Sequence, residues 1–557
     1  MTVNGVKLPW QEIVAKKRAA RDEAIRPYLT VTESELKQRP IKLDAPYERT
    51  VSKNASENLV TDENDIQELV KRMQAGDLRA EDVVRAYINS KRQWCIGTDD
   101  SIKTNSLTEI SFDEAISEAK KLDAVYQETG KIKGPLHGIP FTLKDQFNIK
   151  GHDTTIGYCG RAFKPAAGDA VIVDILKELG GVVIAKTNLP QSIMQWCETD
   201  NPLWGLTVNP RNPDFTPGGS TGGEGALQAL HSSLAGFGTD IGGSVRIPQT
   251  INGLYALKPS SARMPYEGVP VSTDGQEHVP SSVGPMTRSL GSLTHLTKAV
   301  IEGKPWTRDP KCVPIPWREE AFDEVQCRPL VIAVMKDDGV VKAHPPILRA
   351  LEEVVAVLEA AGHEIVPWNA QGHAECIEIM DLYYTADGCE DIRRDVEAGG
   401  EPYIPHVEAL VNRAPAISVY EYWQLNKRRN AAQKRYLDKW NSVASLSGKP
   451  VDILLTPAMP HVAVPHRGCR WVGYTKVWNF LDYTAMSFPV STVSKEIDDP
   501  TTGGYEPRGP LDKWNNDLYN LDTMAGHPIN LQVVGRKLEE EKVLGAAQVI
   551  EAAWKAR

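Results

Sequence analysis

Apolar positions along this chain change their period several times, and each change predicts an element. Ile66, Leu69, Val70 and Met73 recur at helical spacing, Gly76-Asp77 interrupts, and Val83, Val84, Tyr87 and Ile88 resume one apolar face. A short apolar run, Ile139 to Leu143, follows Gly134-Pro135 and Gly138; it predicts a buried strand ending at Lys144-Asp145. Val171 to Leu179 is helical, Gly180-Gly181 stops it, and Val182 to Ala185 runs as a strand towards Lys186. The same order returns later. Ile347, Leu351, Val354, Val355 and Leu358 share a helix face, Gly362 ends it, and Glu364 to Pro367 predicts the next strand. Leu330 to Val334 and Asp452 to Leu455 read as further buried strands, and residues 495 to 515 as an exposed loop rich in Gly, Pro and charge. Strands alternating with helices predict an α/β layered fold with a largely internal sheet.

We divide the chain into a helical N-terminal arm, 1–125, and a catalytic region, 126–557. Composition does not alter this picture. Hydrophobic content of 41%, charge of 24% and a net charge of -10 are those of an ordinary globular chain. Basic residues are scattered, and Lys427-Arg428-Arg429 falls in a stretch of helical character, so no nucleic-acid partner is expected. No stretch of about 18 uncharged apolar residues predicts a transmembrane segment. Residues 1–26 alternate charge with apolar positions and have no signal-like core, which points to the cytoplasm. The eight cysteines are widely spaced without CxxC, and are expected to be reduced thiols. His461 and His466 lie among prolines at no known ligand spacing, so no metal is expected.

Glycine concentrates between 218 and 253, with ten in that span. Backbone must there approach something closely or turn where side chains cannot follow. A phosphate loop would need Gly-Lys-Ser/Thr at its end, which is absent. Gly218-Gly219-Ser220-Thr221-Gly222 satisfies the GxSxG of a nucleophile elbow, but the preceding Asn209 to Pro217 carries three prolines and reads as coil instead of a strand.

The third reading combines motifs. Gly218-Gly-Ser220-Thr-Gly-Gly223 is followed by Gly238-Thr-Asp-Ile-Gly-Gly-Ser244-Val-Arg246, and preceded by Pro140-Phe-Thr-Leu-Lys144-Asp145. This order and spacing resembles the amidase signature family. The likeness extends through Lys186 to Gln191, Thr207 to Pro210, Gly253 to Pro259, Gly284 to Met286 and Leu531 to Arg536. Gly222-Gly-Glu-Gly-Ala-Leu227 and Asn209-Pro-Arg-Asn212 resemble its fungal acetamidase branch, which is close to fatty acid amide hydrolases. The resemblance implies the amidase signature fold, a central mixed twisted sheet covered by helices. It further implies Ser244 as nucleophile, Ser220 as relay after a cis Gly219-Ser220 peptide, and Lys144 as base. No cofactor is implied, the expected partner is a small-molecule amide, and a homodimer is left open.

The chemistry is consistent with that assignment. An amide needs a deprotonated attacking serine and a proton for its departing nitrogen. Lysine supplies both if burial keeps it neutral at rest. The backbone N–H groups of Ile241, Gly242 and Gly243 are the candidate oxyanion hole. Thr221, where many members have a second serine, retains a hydroxyl and adds a methyl, which leaves a hydrogen bond from it to Lys144 open. Asp240 and Arg246 flank the nucleophile and are expected to hold its loop, and Met194, Trp196 and Cys197 to line the acyl pocket or, equally, to pack in the core. An α/β-hydrolase using Ser220, an amidotransferase subunit and an inactive binding protein are the rival readings. Substrate length, from acetamide to fatty amide, is not legible in the motifs.

Overall fold

The computed structural model describes residues 2–3, 6–28, 60–88, 104–194 and 197–557. Eleven strands form one mixed sheet: β3 (Leu107–Ile110), β4 (Pro140–Lys144), β5 (Val182–Thr187), β6 (Ala235–Asp240), β7 (Tyr255–Lys258), β8 (Ser282–Thr287), β9 (Val331–Val334), β10 (Glu364–Pro367), β11 (Ile453–Pro457), β12 (Ala485–Thr492) and β13 (Pro528–Val534). Their order is β10-β9-β11-β13-β12-β7-β8-β6-β4-β5-β3. A separate hairpin pairs β1 (Thr2–Val3) with β2 (Val6–Lys7). Parallel pairing joins β5, β4 and β6 at one end and β10, β9 and β11 at the other, and antiparallel strands lie between them.

Helices cover the sheet as the apolar periodicity requires. Ile66–Gln74, Ala80–Ile88, Phe112–Thr129 and Val171–Glu178 bury their apolar stripes with β4, β5 and β6 in one core. Pro345–Ala360 and Glu540–Lys555 do so with β9, β11, β12 and β13 in a second. Two predicted segments differ from the sequence reading. The arm read as helical contains β3, which pairs antiparallel with β5 at the sheet edge. The segment 495–515, read as loop, enters a helix at Pro510, whose fixed φ suits a first helical position. The predicted strands at 139–143, 182–185, 330–334, 364–367 and 452–455 coincide with β4, β5, β9, β10 and β11 to within a residue or two.

Register places the chemistry. β4 and β6 run parallel with Leu143 opposite Phe237, so Lys144 at the end of β4 lies beside the Gly238-Thr239 end of β6. The glycines of β6 let another layer close over them. A Cβ at Gly238 would stand 2.6 Å from Thr221 Cγ2, and one at Gly236 would collide with the Glu224 carboxylate. The segment from Ser220 into helix Gly222–Ala229 therefore rests directly on the sheet beside Lys144.

Candidate active site

Lys144 is fully buried, and its ammonium nitrogen makes no ion pair among the described residues. Nζ lies 2.7 Å from Ser220 Oγ and 3.0 Å from Thr239 Oγ1. Burial without a counter-charge pushes the lysine down to about 7, with Asp240 acting weakly the other way. Lys186, equally buried one strand away, is surrounded differently. It bonds the Asp153 carbonyl at 2.6 Å and Thr154 Oγ1 at 3.1 Å; burial lowers it too, but Asp145, Glu109 and Asp153 act the other way and favour its ammonium form. Of the two, Lys144 is the one enclosed by hydroxyls.

The Gly219–Ser220 peptide is cis, and Thr221 N donates to Ser244 O at 3.1 Å, which ties the relay segment to the loop carrying Ser244. Thr221 Oγ1 is buried with no hydrogen-bond partner among the described residues, and Thr239 fills the second place on Lys144. Thr239 in turn donates to Gln146 Oε1 at 2.6 Å.

Asp240 and Arg246 brace the 240–246 loop from beneath. Asp240 accepts from Gly243 N at 2.7 Å, Val245 N at 3.1 Å and Asn479 Nδ2 at 2.8 Å, and pairs with Arg246 Nη2 at 3.0 Å. Burial would raise this carboxyl, but the Arg246 guanidinium and the bonds outweigh it and hold it at about 2. Both side chains are fully enclosed, so the pair organises backbone with no route to solvent.

Above the brace, Thr475 Oγ1 donates to Gly242 O at 2.8 Å and Tyr384 OH to Ile241 O at 3.3 Å, which fixes those two peptide planes. Gly243 adopts φ +128°, and a Cβ there would collide with Thr475. Because the Gly243 N–H already points at Asp240, Ile241 and Gly242 are the members of the expected oxyanion trio that face the cavity. That cavity is small, about 30 Å³. Met194, Ile193, Cys197, Ile247, Tyr384, Val472, Lys476 and Ser244 line it with Gly219, Ile241 and Gly242. Met194 is one of the residues that line this cavity, and Trp196 lies outside the described residues.

The histidines serve elsewhere. His466 bonds Glu198 and the Pro213 carbonyl, and His461 faces Cys469. Among the described residues no cluster of His, Cys, Asp or Glu could hold a metal ion, and seven cysteines are unpaired. Thr239, Gln146, Tyr384, Thr475 and Lys476 were not anticipated. Gln146 stands two residues after Lys144 and could have been suspected from proximity, whereas the last three arrive from distant segments with no local signal.

Comparison with known proteins places this arrangement in context. The Amidase family matches residues 99–544. Amidase 1 of Gibberella moniliformis is 54% identical over 542 residues, covering 97% of this chain and 99% of that protein. An acetamidase of Emericella nidulans is 36% identical over 546 residues, 97% of each chain. Among solved structures, a fatty acid amide hydrolase superposes with a TM-score of 0.88 at 32% identity, covering 98% of this chain and 95% of that one.

Proposed function

This chain belongs to the amidase signature family and is an amide hydrolase, and from that premise we propose that it cleaves short carboxamides through an acyl-enzyme on Ser244. The observation that carries the reading is a buried lysine, near neutrality at physiological pH, 2.7 Å from the hydroxyl of Ser220.

In the proposed cycle the Ser244 proton moves to Ser220 as the Ser220 proton moves to Lys144 Nζ, and Ser244 Oγ bonds the carbonyl carbon. Negative charge on the former carbonyl oxygen meets the Ile241 and Gly242 amides, whose peptide planes are held by Asn479 on the Asp240 carbonyl and by Tyr384 on the Ile241 carbonyl. Lys144 returns its proton through Ser220 to the departing nitrogen, the C–N bond breaks, and the acyl group remains on Ser244. Water then repeats the sequence and releases the carboxylate. Each proton transfer has a named side chain, so no cofactor enters the scheme, and the reading is of a cytoplasmic enzyme.

The small size of the cavity beside Ser244 supports a short acyl group in preference to a long one. Treatment with a fluorophosphonate followed by peptide mass mapping should place one adduct on Ser244. An adduct on Ser220 alone would replace this reading with the nucleophile elbow.

A further inference from the structure

Beyond the three side chains of the proposed cycle, Lys144 stands at the end of a hydrogen-bonded chain with a fixed direction. Gln146 Nε2 donates to Tyr266 OH at 3.2 Å, Thr239 Oγ1 donates to Gln146 Oε1 at 2.6 Å, and Lys144 Nζ donates to Thr239 Oγ1 at 3.0 Å. A carboxamide has a donor end and an acceptor end, so its placement orients the hydroxyl between it and the lysine. With its proton held by Gln146, Thr239 presents lone pairs to Lys144 and must accept. A neutral lysine that donates to Thr239 keeps its own lone pair for Ser220 Oγ at 2.7 Å, on which the proton must arrive.

We infer that Gln146 and Tyr266, acting through Thr239, are positioning residues that turn the lone pair of Lys144 towards Ser220. The inference rests on the reading of Lys144 as the base. Gln146 and Thr239 are buried, so the chain competes with little water on the lysine side. Tyr266 closes the other side. Its backbone N donates to Asp309 Oδ2 at 2.6 Å, and its side chain lines a cleft of about 580 Å³ with Ser281, Glu267, Asp309 and Lys311. Burial pushes the Tyr266 hydroxyl up to about 12, which keeps it protonated, while its side-chain hydrogen bonds with Ser281, Gln146 and Thr239 act the other way. The charge facing Lys144 itself is Asp240, already tied to Arg246. Without the amide of Gln146, the Thr239 hydroxyl could turn its proton onto the lysine lone pair and compete with Ser220.

The test compares pH profiles of kcat and kcat/KM for one amide across Thr239→Val, Thr239→Ser, Gln146→Met and Tyr266→Phe in the full chain. Thr239→Val should lower the plateau of kcat by about tenfold to a hundredfold, with KM little changed. It should also move the acid limb to lower pH, because the ammonium form loses a hydrogen-bond acceptor more than the neutral form does. Gln146→Met should shift both in the same sense, and Tyr266→Phe should do so less. Thr239→Ser keeps the hydroxyl and should return kcat to within about threefold of the parent. Should Gln146→Met fail to fold, the Thr239 pair decides alone. An unmoved acid limb, a loss confined to KM, or a serine variant no better than valine would overturn the inference. Lys144→Ala separates the two claims. If it retains amide turnover, the base assignment itself fails; if it is inactive while the Thr239 and Gln146 profiles are unmoved, only the positioning chain fails.

Discussion

Two buried lysines in adjacent strands carry opposite lessons about a single residue. Lys186 sits against a backbone carbonyl with carboxylates nearby, while Lys144 meets only hydroxyls. Desolvation brings Lys144 to about 7. In the proposed cycle only the neutral form can take the proton, so kcat/KM should rise with pH along one limb centred near 7 and fall below it. Lys144→Ala removes both the base and the acid that protonates the leaving nitrogen. Since an ester expels its alkoxide with less help, amide turnover should fall more than ester turnover for the same acyl group. General acid-base assistance is commonly worth about 10²- to 10⁴-fold, so matched kinetics resolve the difference, with folding checked by circular dichroism. Equal losses on both substrates would confine Lys144 to the attack step.

At the scale of elements, β6 is the strand on which the site depends. Its glycines leave room for the Thr221 segment, and Gly238→Ala would place a methyl 2.6 Å from Thr221 Cγ2 and 2.7 Å from its Oγ1. Overpacking of this kind costs about 1–3 kcal/mol, and the displaced Ser220 should lose contact with Lys144, reducing turnover sharply. Adding Thr221→Ala removes the two nearest atoms and should recover part of both stability and rate. No recovery in the double variant would show that the clash lies elsewhere. The N-terminal helix Trp10–Ile25 makes a separate contribution. Lys17, with its side chain 10% exposed, pairs with Glu109 at 2.6 Å and Asp153 at 2.7 Å. Lys17→Met leaves both carboxylates without that partner and should lower unfolding free energy by about 3 kcal/mol. Urea unfolding measures it, and the folded variant should keep its kcat because the pair does not touch the reacting groups.

Across the whole molecule, one eleven-stranded sheet joins three large hydrophobic cores, and the cavity at Ser244 gathers residues from segments as distant as Met194, Tyr384 and Val472. Its size, about 30 Å³, predicts an order of kcat/KM across acetamide, hexanamide, benzamide and oleamide that falls with acyl size. Oleamide turned over faster than acetamide would mean that the walls open to a long chain. Among the described residues no helix is long and apolar enough to cross a membrane.

How much of this was legible beforehand follows from which interactions are local. Amphipathic helices and uninterrupted apolar strands such as β5 and β9 announced themselves, because their periodicity is written within a dozen residues. β6 and β8 did not: Ala-Gly-Phe-Gly-Thr-Asp and Ser-Val-Gly-Pro-Met-Thr carry Gly or Pro, which lower strand propensity, and only pairing with neighbours makes them strands. Lys144, Ser220 and Ser244 stood out in sequence because three motifs, two of them glycine-rich, follow one another in the order and spacing of the amidase signature family. Their surroundings could not. Thr239 in place of Thr221 as the second partner of Lys144, the Gly243 amide turned to Asp240, and Tyr384 and Thr475 pinning the loop all depend on segments that meet only after the sheet closes. The motifs therefore named the candidate groups for the chemistry. The tertiary structure decided which of them face one another and how much water is excluded, because hydrogen-bond geometry and desolvation depend on distance in space.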